Sequence, residues 1–241
     1  MVWQVTLVVE RGDVWDVRLD RPAAANALSS GLVEALHEVL DQATVERPKA
    51  LVLKGNQRHF AAGFDLTGLA GESDASLAHR FLRIGLLLEK LVAAPYLTVA
   101  VVEGSAFGAG ADLVAACDHR LAGPDARFAF PGPRFGVVLG TARLRAIADP
   151  LVFLGGATVS AADAGGLVTG NPDDLPGILD AWSHIDPATR AALLAAARPV
   201  HDADAALAVL TRSVTTPGLH ARLTAYRRRA LPPRSHSEEL S

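Results

Sequence analysis

Glu103-Gly104-Ser105-Ala106-Phe107-Gly108-Ala109-Gly110-Ala111-Asp112-Leu113 follows the apolar run 97–102 and leads into small residues ending at Cys117. A β-like run that turns through glycines into a helix start leaves main-chain N–H groups uncovered, and the helix dipole favours an anion there. A second stretch, Phe60-Ala61-Ala62-Gly63-Phe64-Asp65-Leu66, stands in the same relation to the run 50–53. Two such N–H groups aimed at one place make an oxyanion hole, which stabilises negative charge developing on a carbonyl oxygen.

Working outward from these stretches, β-turn-helix units recur. Residues 5–10 and 14–20 read as strands around Arg11-Gly12-Asp13. A helix is expected from about 30 to 43, where Leu32, Val33, Leu36, Val39, Leu40 and Ala43 keep helical spacing. Residues 68–74 read as a small, polar, mobile loop. An apolar helix follows at about 76–91, then a strand at 97–102, a helix at 108–117 and a short strand at 118–122. This alternation predicts an α/β layered fold with right-handed crossovers. Ser160-Ala161-Ala162-Asp163 reads as a helix N-terminal cap, and residues 202–212 and 217–229 as the last helices. The Gly-, Pro- and Asp-rich stretch 170–177 marks the expected boundary between a core, 1–170, and a helical region, 171–241.

The chain has 241 residues, 50% of them hydrophobic and 20% charged, with a formal net charge of -3. That is enough material for a large core, and the near-neutral balance gives no sign of a nucleic-acid partner. Its one cysteine, Cys117, cannot form an intramolecular disulfide and reads as a buried spectator. The longest apolar run is broken by Pro95 and is too short for a bilayer, so no membrane insertion and a cytoplasmic location are expected. No histidine pair has metal-ligand spacing, so no metal is expected. Arg227-Arg228-Arg229 reads first as a solvated helix end and second as a phosphate contact.

Three segments together resemble the crotonase (enoyl-CoA hydratase/isomerase) superfamily. Leu19-Asp20-Arg21-Pro22 with Asn26-Ala27-Leu28 is similar to its RPxxxNAL segment, residues 60–66 to its FxAGxDL motif, and residues 104–113 to its GxAxGGGxEL motif. The resemblance runs from about Val5 to Val168. It implies a spiral of ββα units with a helical C-terminal region at subunit contacts, in a homotrimer or a dimer of trimers. It also implies an acyl-CoA thioester as ligand, with coenzyme A entering as part of the substrate and no separate cofactor. The catalytic positions it implies are the amide donors Phe64 and Ala109 and the acid/base Asp112. The implied substrate contacts are Ala24 and Ala25 along coenzyme A, the Ala62 carbonyl at the adenine, and Asp65 and Leu66, with Asp65 mainly holding the turn. Ala23 stands where the family carries a basic residue, which removes one phosphate contact.

Two departures bear on the chemistry. Asp112 replaces the family's first glutamate and is shorter by one methylene, about 1.5 Å of reach. The second glutamate falls in Phe128-Ala129-Phe130-Pro131-Gly132-Pro133-Arg134-Phe135-Gly136, where its position reads as Gly132. Removing one of two positioned acid/base groups costs roughly 10²–10⁴ in rate. Two readings therefore stand: an enzyme with an incomplete acid/base pair, or a non-catalytic acyl-CoA binder on the same scaffold. Glu72, Asp74 and Glu103 read as solvated or capping carboxylates, and His59 and His119 as satisfied or exposed side chains. A dinucleotide-binding reading of Gly108-Ala109-Gly110 lacks the third glycine, which is Leu113. A serine-hydrolase reading of Ser105 lacks the GxSxG elbow.

Overall fold

The computed structural model describes residues 6–230. Strands β1 (Leu7–Glu10) and β2 (Val14–Leu19) form an antiparallel hairpin, and Trp15, Val17 and Leu19 alternate inward. Helix α1 (Ser30–Glu46) starts where the Ser29 side chain accepts the Leu32 N–H. It stops at Arg47, whose φ of 53° is left-handed. Its apolar face, Leu32, Leu36, Val39, Leu40 and Ala43, is buried at the expected spacing.

After α1 the chain repeats one move. It lays a strand in a first sheet, a short strand in a second sheet, and then a helix. Strands β3 (Ala50–Lys54) and β4 (His59–Ala61) precede α2 (Asp74–Val92). Strands β5 (Leu97–Val102) and β6 (Ser105–Phe107) precede α3 (Ala109–Ala115). Strands β7 (His119–Ala122) and β8 (Arg127–Ala129) make a third pair. The first sheet has the order β1-β2-β3-β5-β7, parallel from β2 onward. The second has the order β4-β6-β8-β9, with β9 (Thr158–Ser160) antiparallel at the edge. This is the expected spiral of ββα units. Strand β5 is buried along its whole length, which explains its unbroken apolar reading.

Short helices α4 (Thr141–Ile147) and α5 (Pro150–Leu154) lead to β9. Four more follow: α6 (Leu175–Ser183), α7 (Pro187–Ala197), α8 (Ala203–Thr215) and α9 (Leu219–Ala230). Leu175, Ile178, Leu179 and Trp182 of α6 and Leu194 of α7 pack on Ala50, Val52, Leu97 and Val99 of the first sheet. The Trp182 indole N–H donates to the Lys49 carbonyl at 2.8 Å. Helix α8 lies against α2, and α9 returns to the second sheet's side of the molecule.

Two local expectations change. Residues 68–74 are tied down: Leu69 is buried, Glu72 pairs with Arg80 at 2.8 Å, and Asp74 opens α2. Ser73 and Ser76 form a reciprocal cap that starts α2 at Asp74, two residues earlier than its apolar periodicity suggests. Ser160 accepts the Asp163 N–H as a cap does, but it ends β9 and closes a turn, and no α-helix begins there. Capping side chains satisfy turns and helices alike, so the pattern alone does not separate them. Val5, placed in the first strand by its pattern, lies outside the described residues.

Candidate active site

The order β4-β6-β8 decides the site. Each of these strands runs into one of the three singled-out loops, so the segments after Ala61, Phe107 and Ala129 lie side by side at one sheet edge. Gly63 has a φ of +88°, and a Cβ on it would stand 2.5 Å from the Phe107 carbonyl and 3.3 Å from the Ala109 nitrogen. Only glycine lets the two loops touch here. A Cβ on Gly110 would likewise lie 2.4 Å from the Ala61 carbonyl. The amides of Phe64 and Ala109 thus come from adjoining backbones, and among the described residues neither donates to another group. Ala109 opens α3 and is not among the positive-φ residues, so its methyl imposes no backbone strain.

The first segment braces this arrangement. Ala25 and Asn26 are left-handed, with φ of 48° and 55°. The Asn26 amide is buried and donates to the carbonyls of His59 and Phe60. The Ala62 N–H donates to the Ala25 carbonyl at 2.9 Å, and Leu28 bridges Phe64. Asp65 is buried in an ion pair with Arg21 at 2.7 Å and accepts the Thr67 N–H. Burial works to raise its pKa, but these hydrogen bonds and the Arg21 charge hold the carboxyl below its usual range.

A cleft of about 1460 Å³ opens over the loops. Phe64, Leu66, Ala62, Ala109 and Asp112 line it; Ala24, Ala25 and Asp65 do not. Ala24 and Ala25 are half-buried beside the Ala62 strand end, and Asp65 acts through the turn it holds. The far wall comes from Phe135, the segment 137–141 and α9, where Tyr226, Arg227 and Arg228 face the space. Two residues of the arginine cluster, Arg227 and Arg228, therefore line the cleft and are also exposed.

Asp112 is the carboxylate of this cleft. It is 7% exposed, and burial pushes its carboxyl up to about 7, against a partial pull down by a hydrogen bond from the Gly140 main chain. A Cβ on Gly140 would lie 2.3 Å from Asp112 Oδ1, so that glycine makes room for the acid. Gly132, where the resemblance puts the second glutamate, begins a 3-10 turn (Gly132–Phe135). A Cβ there would meet the Val137 carbonyl at 2.6 Å, and the Val137 N–H donates back to Gly132 at 3.0 Å. A side chain there would meet backbone, although Gly132 itself lines the cleft.

The sequence reading missed the aromatic chain that joins the loops. Phe64 stacks on Phe81 at 4.1 Å, Phe81 meets Phe135 at 6.4 Å, and Phe135 meets Tyr226 at 4.9 Å. Helical spacing marks Phe81 as core but not as a partner of Phe64. Ser105 bonds to His59 at 2.8 Å and does not line the cleft. Cys117 is buried and raised to about 12, which leaves no thiolate. Among the described residues no group of three or more His, Cys, Asp or Glu could hold a metal, and no helix is long and apolar enough to cross a membrane.

A spiral of ββα units with two adjoining loops over a cleft defines a class, and comparison with known proteins gives the same class. The sequence profile described as Enoyl-CoA hydratase/isomerase matches residues 10–163, and the chain belongs to that family. It is 39% identical to a protein from Bordetella parapertussis provisionally named enoyl-CoA hydratase/isomerase. That crystal structure superposes with a TM-score of 0.87 over 95% of this chain and 100% of the other. It is 36% identical over 136 residues to the provisionally named enoyl-CoA hydratase echA6 of Mycobacterium tuberculosis (strain CDC 1551 / Oshkosh), covering 56% of this chain and 54% of that one. It is 36% identical over 161 residues to the 2,3-dehydroadipyl-CoA hydratase of Escherichia coli (strain K12), covering 63% and 62%. The match thus spans little more than half the length of these curated relatives.

Proposed function

We propose that this protein binds acyl-CoA thioesters and stabilises an enolate between the Phe64 and Ala109 amides, with Asp112 as the one acid/base. The observation that carries the reading is the contact of Gly63 with Phe107 and Ala109, which brings two undonated amides together over a cleft that Asp112 also lines. The pair would bind the thioester oxygen, and its stabilisation would grow as charge moves onto that oxygen. An ionised Asp112 takes a proton from water as it adds to a 2-enoyl thioester, and the protonated acid then delivers one to the α-carbon. A carboxyl poised near 7 serves both steps better than one at its usual value.

Coenzyme A enters as part of the substrate, with no separate cofactor. Its phosphates would be met by Arg227 and Arg228 at the cleft mouth rather than by a residue at Ala23. A homotrimer or dimer of trimers and a cytoplasmic setting belong to the same reading. So does the division into a core, 1–170, and a helical region, 171–241. Leu151 and Leu154 of α5, 84% and 61% exposed, are apolar surface that subunit contact would cover. The closed turn at Gly132 favours a second reading, a binder without turnover.

The experiment is a mass-resolved assay of a medium-chain 2-enoyl-CoA with wild type and Asp112→Asn. Hydrated product from wild type, reduced roughly 10²–10⁴-fold in the variant, supports the enzyme. Saturable binding with no product in either supports the binder.

A further inference from the structure

The side chain of Phe64 is held on both faces. Its ring stacks on Phe81 with centroids 4.1 Å apart and planes 12° from parallel. The Arg80 guanidinium lies over the same ring, 4.2 Å from its centroid. Two groups at those separations cannot share one face, so the ring is sandwiched. Arg80 and Phe81 are consecutive residues of α2, and one helical segment supplies both jaws. The Arg80 fork is anchored twice more: Nη2 donates to the Asp65 carbonyl at 2.7 Å, and Nη1 to Glu72 Oε1 at 2.8 Å. Its side chain is only 12% exposed.

We propose that Arg80 is a positioning residue that fixes the direction of the Phe64 N–H, and so sets how strongly a bound thioester carbonyl is polarised. The inference rests on the oxyanion reading above. The peptide that carries this N–H is held at its carbonyl end, where Gly63 accepts the Leu28 N–H at 2.7 Å. A second restraint comes from the C-terminal side, where Arg80 lies over the Phe64 ring and bonds the Asp65 carbonyl. Arg80 supplies it by pinning the ring of Phe64 and the carbonyl of the next residue together. A displacement of about 1 Å at such a group can cost on the order of 100-fold in rate. Lysine cannot replace the arrangement, because a point charge on a flexible stem cannot stack on a ring and bond in two fixed directions. Arg80 lies outside the cleft lining, so its loss removes no wall residue of the cleft.

The test uses a dienoyl-CoA, whose absorption moves to longer wavelength as its carbonyl is polarised. Wild type, Arg80→Lys and Arg80→Gln are titrated with it; band position and Kd are read together, and a thermal melt confirms that each variant is folded. Arg80→Lys keeps the charge and the aliphatic stem, so a folded variant is available for the comparison. The expected result is a red-shifted band in wild type and loss of more than about half of that shift in both variants, with Kd changed less than about threefold. A full shift in the folded variants overturns the role of Arg80. So does a shift that falls only in step with affinity, as a purely structural role would give. A wild type that binds with no shift at all overturns the oxyanion reading itself, and the role of Arg80 with it.

Discussion

Asp112 shows how a single residue's surroundings set its chemistry. Its carboxyl is buried beside Gly140 and stays protonated up to about pH 7 in the fold, while the unfolded chain titrates near 3.8. Between those values the native state holds the extra proton, so stability falls as pH rises from about 4 to 7. Asp112→Asn, which cannot ionise, is therefore expected to melt higher than wild type at pH 8 and to differ little at pH 4. Thermal melts at the two pH values check this. Gly132 makes the complementary case. Gly132→Glu is expected not to restore efficient hydration and to destabilise by roughly 1–3 kcal/mol, because its Cβ must displace the Val137 carbonyl. Hydration assays and melts of the variant read both effects. Sequence alone placed Asp112 in the first turn of a helix and Gly132 in the stretch 128–136, because both fall in local motifs. It could not show that one position is desolvated and that a side chain at the other would meet backbone, since both facts depend on contacts with residues 137–140.

At the scale of elements, the site is a product of strand order. Three short parallel strands put three loops in register, and glycine contacts hold two of the loops together. Gly63→Ala is expected to part them, since the new methyl meets the Phe107 carbonyl at 2.5 Å and the residue sits at a φ of +88°. Thioester binding measured by calorimetry should drop by at least about tenfold, a loss of about 1.4 kcal/mol. Retained affinity would show that the loop contact is not what builds the site. The first sheet and helices α1, α2, α3, α8 and α9 were legible from pattern, because β3 and β5 are continuous apolar runs and α1 and α2 keep one apolar face, whereas the three-residue strands of the second sheet are too short to show a period. Segment 68–74 was not, because its order comes from Arg80 and from the burial of Leu69 in a distant cluster. Local composition carries no trace of either.

At the scale of the whole molecule, α9 closes the cleft from the far end of the chain. Asp74 at the start of α2 accepts the N–H groups of Gly218 and His220, both at 2.7 Å, and so fixes where α9 begins. Asp74→Ala should lower stability, as loss of a helix cap does, and should weaken coenzyme A binding by loosening the arginine end of α9. Melts and titrations of the variant read both. The double variant Arg227→Ala, Arg228→Ala should flatten the salt dependence of acyl-CoA affinity, measured between low and physiological ionic strength, since exposed charge pairs are screened.

The central claim is that this cleft stabilises an enolate with one carboxylate in attendance. Its most direct measurement is deuterium uptake at the α-carbon of a saturated acyl-CoA incubated with the protein in heavy water and followed by mass. Enzyme-dependent uptake is expected to rise through about pH 7 as Asp112 ionises and to disappear in Asp112→Asn while binding persists. Saturable binding with no uptake at any pH would contradict it and leave a binder on the same scaffold.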